Sequence, residues 1–328
     1  MTDIYMLSTL GLLLGSLGAI GVAAIGRRAG LVDLPNARSS HSIPTVKGGG
    51  VGILATLIFA SLWCGLPGTV WIPASVLSCL SFWGDRVNLS PRFRLGIQLV
   101  CSAVVILGGF PFPMVCVLMV PLVIFLAGTS NFFNFMDGIN GIAGGTGAIG
   151  FLFLALFGWQ TSAPVSMVLV SGAVAFSCLG FLPFNVPNAR VFMGDVGSVL
   201  LGFLFAALAI LLSRNPGDFM CMVGFIFPFY ADGLSTLTIR FWDGENLSQA
   251  HRRHLYQILS NERGMAHWKV TLGYCSLQIM IGAAVMGLAG DIRSTLVLLT
   301  MCFLVFCCVS MGVRHGCAGS KNYEKHRN

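Results

Sequence analysis

Asn131-Phe-Phe-Asn-Phe-Met-Asp-Gly-Ile-Asn-Gly-Ile-Ala-Gly144 sits between two long apolar runs. An apolar run needs no amides or carboxylate at its end. Near hydrocarbon such groups are costly, so by default they mark function. Glycines let the backbone approach a ligand closely. The stretch reads as a polar corner at a membrane boundary, where a polar ligand meets the bilayer. A Gly-rich turn with capping Asn and Asp is the plainer alternative.

Composition sets the class around that corner. The 328 residues are 55% hydrophobic and 9% charged, with a mean hydropathy of +0.83. A soluble domain carries about 25% charged residues, so this chain cannot cover a water-facing surface. It is expected to be an all-α integral membrane protein, one polytopic domain over 1–328. The apolar runs are too long for barrel strands. The net charge of +7 is not gathered on a soluble module, which excludes nucleic acid as a partner. The eleven Cys lie mostly inside apolar runs, with neither CxxC nor zinc-ligand spacing. They read as small apolar residues.

Eleven spans are expected, at roughly 4–25, 50–66, 70–84, 95–109, 113–130, 142–158, 164–183, 197–213, 219–239, 268–289 and 293–313. Arg27-Arg28 follow the first run, which lacks a signal-peptide pattern. This predicts a retained helix with the N-terminus outside and the C-terminus cytoplasmic. That arrangement puts 17 of the 19 Lys and Arg inside, all but Arg214 and Arg293. The positive-inside rule supports both count and direction.

Five polar stretches then share the cytoplasmic side. Ser39 to Gly50 ends in Lys47 and three glycines, whose N–H groups at a helix start suit a phosphate. Gly84-Asp85-Arg86, with Arg92 and Arg94, sets one carboxylate among three cations. In the opening stretch, Asn131, Asn134, Asp137 and Asn140 recur every three residues, so their side chains cluster if the segment is helical. Asn185 precedes Arg190-Val-Phe-Met-Gly-Asp-Val-Gly-Ser198, where Asp195 lies between glycines as the next span begins. Such a carboxylate suits Mg²⁺, which takes one or two carboxylates plus phosphate oxygens; a helix cap is the plainer reading. The fifth stretch joins Asp243-Gly-Glu245 to His251-Arg-Arg-His254-Leu-Tyr-Gln257. Two His at i, i+3 share a helix face, and His beside Arg252 suits anionic oxygens better than zinc. Asp232, just inside the ninth span, is expected to pair with Arg240 or to face the cleft.

These motifs resemble those of the polyprenyl-phosphate N-acetylhexosamine-1-phosphate transferases, the family of the MraY, WecA and WbpL types. The carrying residues are His41-Ser-Ile-Pro-Thr-Val-Lys-Gly-Gly-Gly, Asn131-x-x-Asn-Phe-Met-Asp-Gly-Ile-Asn-Gly, Val191-Phe-Met-Gly-Asp-Val-Gly-Ser and His251-Arg-Arg-His-Leu-Tyr-Gln, in family order. The His-Arg-x-His form is most similar to the WbpL-type branch that initiates O-antigen. The resemblance implies a transferase of the bacterial inner membrane, dependent on Mg²⁺ with Mn²⁺ as a substitute. A polyprenyl phosphate such as undecaprenyl phosphate would attack the β-phosphate of a UDP-N-acetylhexosamine and release UMP.

By motif match Asp195 holds the metal, and Asn131 and Asn185 hold the diphosphate. Asp137 contacts the uracil with Phe192 stacked on it, and Lys47 contacts phosphate. His251 and His254 line the diphosphate or sugar end. Asn134 and Arg252 complete the substrate-binding set. The family pattern has two adjacent Asp in the second loop, whereas this chain reads Gly84-Asp85. Asp85 alone is therefore expected to orient or deprotonate the lipid phosphate.

A secondary transporter or lipid flippase using the same polar cleft is the rival reading, but its polar groups would lie near the midplane and open to both faces. A CDP-alcohol phosphotransferase would need Ala-Arg after Asp137-Gly138, where Ile139-Asn140 stand. The expected partners are a UDP-N-acetylhexosamine, undecaprenyl phosphate and membrane lipid, with room for a homodimer. The choice among GlcNAc, QuiNAc, FucNAc and GalNAc stays open.

Overall fold

Asp195–Leu212 (α8) is apolar on every side, and 89% of its residues are buried inside the protein. A helix without a polar face belongs at the centre of a bundle, and the other helices gather around it. The computed structural model describes residues 2–36, 39–87, 89–247, 249 and 251–325; the side chains of Asp85, Arg86 and 317–325 lie outside the described residues.

The remaining helices in chain order are α1 (Thr2–Ile25), α2 (Val51–Cys64), α3 (Gly68–Val87), α4 (Pro91–Gly109), α5 (Phe112–Met136), α6 (Ile142–Gln160) and α7 (Val165–Phe181). After α8 come α9 (Pro216–Gly224), α10 (Phe227–Trp242), the short α11 (Leu255–Asn261), α12 (His267–Gly287) and α13 (Ile292–Lys325). Every expected apolar run falls on a helix, with α9 and α10 sharing the ninth. Fewer of them qualify as spans. Among the described residues eight helices are long and apolar enough to cross a membrane, or nine with α9 and α10 as one bent span. Of the eleven expected crossings, eight to nine therefore meet the length and apolarity of a span. At 14 residues α2 is short against the roughly 20 that a crossing needs. α3 is diluted by serines, Pro73 and its Asp85-Arg86 end.

The bend between α9 and α10 is 83°. Pro228 stands in the first turn of α10, where its missing N–H and its ring stop an incoming helix. Small residues set the tightest packing. A Cβ added at Gly15 of α1 would lie 2.1 Å from Ser177 O of α7, and one at Gly180 would lie 2.1 Å from Leu12 O. Lipid provides no hydrophobic drive between helices, so close backbone approach of this kind holds them together.

α3 and α5 grip the start of α8. Ser78 Oγ donates to Val196 O at 2.6 Å, and Ser130 Oγ to Val199 O at 3.1 Å. One small sheet departs from the all-α expectation. Val32–Asp33 (β1), Thr45–Lys47 (β2) and Val191–Phe192 (β3) are ordered β1-β2-β3, with β2 antiparallel to β1 and parallel to β3. The register pairs Val46 with Val191 and Lys47 with Phe192. Strands of two or three residues leave too short an alternation to read from sequence.

Candidate active site

The turn before α8 is built on Gly194, whose φ of 73° is open to glycine but strained for other residues. It delivers Asp195 into the first helical turn, where a carboxylate is favoured by the helix dipole. The sheet sets the opposite wall by placing Lys47 beside Phe192. The hydrogen bonds beside it require a correction. The three glycines after Lys47 do not offer their N–H groups to a phosphate. Gly48 and Gly49 donate to Phe192 O at 3.1 and 2.9 Å, and Gly50 to Met193 O at 3.0 Å. Those bonds tie the first polar loop to β3.

Two cavities meet at Asp195. The larger, about 660 Å³, runs between α3, α4, α5 and α10 and is lined mainly by apolar side chains such as Leu77, Leu80, Phe93, Leu95 and Leu237. Asn131, Arg94, His251 and His254 also reach it. The smaller, about 310 Å³, is lined by Asp33, His41, Lys47, Asp137, Asn140, Asn185, Phe192 and His267 among others. Asn134 and Asp195 line both.

The three-residue spacing of the opening stretch does not make one cluster, because α5 ends at Met136. Asn131 stays on the helix and faces the larger cavity, Asp137 caps the end, and Asn140 lies in the following turn against the smaller one. Both amides expected to hold the diphosphate are engaged by protein. Asn131 exchanges hydrogen bonds with Gln98 at 3.0 and 3.3 Å and donates to Ala127 O at 2.9 Å. Asn185 accepts from Gly141 N and donates to Val191 O at 2.9 Å, which staples the α5–α6 turn to β3. Both shape walls with the amides expected to hold the diphosphate.

Asp137 and Asp195 face the smaller cavity together. Burial first, and the Asp195 charge second, push the Asp137 carboxyl well above the usual range. Among the described residues no group of three or more His, Cys, Asp or Glu forms a metal cage. Two carboxylates in one small polar cavity still fit Mg²⁺, which completes its shell with waters and substrate phosphates. Asp195 also pairs with Arg94, whose Nη1 donates to Oδ2 at 2.7 Å. Asp85 lies in the last turns of α3, beside the larger cavity's Ser81 and Leu89, but its side chain is outside the described residues.

The His motif is not helical at its start. α11 begins at Leu255 and His254 is its N-cap, so the two rings come together through a loop, their centroids 4.8 Å apart. Burial first, then the neighbouring His254 and Arg240, push His251 down to about 4 and keep it neutral at pH 7. Asp232 neither pairs with Arg240 nor opens to the cleft. It is fully buried and accepts from Leu255 N at 2.8 Å, Tyr256 N at 3.2 Å and Tyr274 Oη at 2.6 Å, with His254 Nδ1 3.5 Å away. Asp232 therefore anchors the start of α11 and, through it, His254. Arg240 holds the loop after α10 by bonding Glu245 Oε2 at 2.8 Å and Asn246 O at 2.7 Å. Glu245 and Asp243 both pair with Arg253, so these carboxylates brace the loop. Arg252 reaches back to Ser39 O at 3.4 Å.

Asp33, Gln98 and His267 were missed as site residues. His267 had a readable signal, an imidazole at the exact start of an apolar run. Asp33 and Gln98 had none, since a lone loop carboxylate and a lone amide are common.

Residues 68–213 match Glycosyl transferase family 4. That segment runs from α3 to the end of α8 and holds most of both cavity walls. The chain is 26% identical to the undecaprenyl-phosphate α-N-acetylglucosaminyl 1-phosphate transferase of Thermotoga maritima, over 88% of this chain and 90% of that protein. It is 27% identical to the decaprenyl-phosphate N-acetylglucosaminephosphotransferase of Mycobacterium leprae, over 84% and 80%. A phospho-N-acetylmuramoyl-pentapeptide-transferase of Halalkalibacterium halodurans is 32% identical over 53% of this chain and 50% of its own length. These similarities do not single out the WbpL-type branch that the His-Arg-x-His form suggested. The two that span most of both chains are N-acetylglucosamine phosphotransferases.

Proposed function

We propose that the chain transfers N-acetylglucosamine 1-phosphate from its UDP ester to a polyprenyl phosphate, and so starts a lipid-linked glycan. The carrying observation is the junction of a 660 Å³ apolar groove with a 310 Å³ polar cavity at Asn134 and Asp195. A lipid phosphate in the groove and a nucleotide sugar in the cavity would meet there. An oxygen of the lipid phosphate attacks the β-phosphorus, the bond from that phosphorus to the α-phosphate's bridging oxygen breaks, and UMP leaves. Transfer of this kind needs positioning and charge neutralisation more than covalent chemistry by the protein.

Asp195, with Asp137 beside it, would hold a divalent cation that offsets charge on the diphosphate and the leaving UMP. Phe192 and Lys47, paired across the sheet, would seat the uracil and a phosphate. His251 and Arg252 would flank the anionic end. Asp85 would orient the lipid phosphate, most of which is ionised at pH 7 because its second pKa is near 6, and deprotonate the remainder. The 17-to-2 division of basic residues supports a cytoplasmic site, an outward N-terminus and eleven crossings of a bacterial inner membrane.

The test is UMP release by the purified chain with undecaprenyl phosphate and a panel of UDP-sugars. UMP is expected with UDP-GlcNAc, only when lipid phosphate and Mg²⁺ or Mn²⁺ are present. Absence of UMP with every UDP-N-acetylhexosamine would overturn the assignment.

A further inference from the structure

Arg94 stands where the two cavities join, its guanidinium 2.7 Å from Asp195 Oδ2. The side chains of this pair are 34% and 25% exposed. The Arg94 Nε is buried without a partner. Its guanidinium lies against Gly84. A Cβ there would lie 3.1 Å from Arg94 Nη2, 3.4 Å from its Cζ and 3.2 Å from Leu89 Cδ1. The guanidinium thus fills the space that a side chain at 84 would occupy. A carboxylate at that position would itself compete for Arg94.

We propose that Arg94 is the resident countercation of Asp195, and that a nucleotide diphosphate must draw it off before a divalent cation takes that carboxylate. The proposal rests on the functional reading above and adds an order of binding, with the cation entering with or after the nucleotide. The physical reason is competition at one oxygen. A guanidinium hydrogen-bonded to Oδ2 repels a second cation there, and its charge-assisted bond must break first. A diphosphate offers the planar guanidinium a bidentate partner, so Arg94 exchanges one anion for another instead of losing its pairing. The pair is exposed enough for that exchange to occur without unfolding. Gly84, the departure from the family pattern, is then the slot that lets Arg94 reach Asp195.

Two binding measurements on the purified full chain test this. Mn²⁺ binding without nucleotide, followed by electron paramagnetic resonance, is expected to be at least tenfold tighter in Arg94→Met than in wild type. Adding Asp195→Asn to that variant should remove the gain. UDP binding without metal should be at least tenfold weaker in Arg94→Met. Equal or tighter Mn²⁺ binding by the wild type, a gain that survives Asp195→Asn, or unchanged UDP affinity would each overturn the proposal. Gly84→Leu, which fills the seat of the guanidinium, gives the Mn²⁺ comparison a second variant should Arg94→Met not fold. Unchanged Mn²⁺ affinity in Gly84→Leu counts against the proposal in the same way. UMP release by the wild type is scored separately, so failure of the activity and failure of the Arg94–Asp195 exchange give different results.

Discussion

The larger cavity is walled mainly by regular helices, and its lining comes from α3, α4, α5, α8 and α10, with Leu89 between α3 and α4 and the loop after α10. The smaller cavity is walled by breaks in structure: a three-stranded sheet, the end of α5, the start of α8 and the start of α12, with residues from Asp33 to His267. The difference follows from what each would hold. An apolar chain needs only hydrophobic side chains, which helices present without exposing backbone. A charged nucleotide needs polar side chains from several directions, and these converge only where helices stop.

Four substitutions sharpen or break that contrast. The largest effect is expected where a carboxylate serves the reaction itself. Asp85→Asn should lower turnover at saturating UDP-sugar by about 10²–10⁴, the usual range for a lost general base. A fall under about tenfold would mean that the lipid phosphate attacks unaided. Asp195→Asn should lower turnover by about 10²–10³, as for one electrostatic stabiliser, and its effect should extend to both substrates because the residue lines both cavities. A defect confined to the lipid substrate would break the junction. For the small cavity, aromatic stacking on a base contributes about 1–3 kcal/mol. Phe192→Ala should therefore raise KM for the UDP-sugar about ten- to a hundredfold and leave KM for the lipid nearly unchanged. The mirror experiment has the smallest effect. Leu80→Gln in the groove should raise KM for undecaprenyl phosphate by about three- to tenfold, a fraction of one side chain's burial, with the nucleotide constant unmoved. A reversed pattern in these last two variants would show that the cavities have been assigned to the wrong substrates.

Much of the site was legible because its residues sit at the ends of apolar runs, where a polar group is conspicuous. Asp195, Asp137 and Asn134 stand at such ends, and the structure brings all three to one place. Asn131 and Asn185 were legible as polar residues, but their hydrogen bonds to Gln98, Gly141 and Val191 come from partners outside their own helix or turn. The triple glycine misled for a related reason: its N–H groups bond a strand 144 residues or so further along, between Phe192 and Met193. Asp232 was noticed as an anomaly inside a span, yet its role at α11 rests on bonds from Leu255 and Tyr256, 23 and 24 residues further along the chain.

Hydropathy and charge, read by residue, determined that the chain is helical, polytopic and membrane-embedded, with its polar motifs at the ends of helices. Those properties arise from each residue's own preference for water or hydrocarbon, so no partner is needed to infer them. The tertiary structure decided which of the polar groups remain open to a ligand and which are consumed by the fold. It set Arg94 against Asp195, turned Asp243 and Glu245 into braces for Arg253, and joined a groove to a pocket at Asn134. Hydrogen bonds and ion pairs act over a few ångströms, and these partners are separated by up to about a hundred residues of chain, so only the packed bundle brings them within reach.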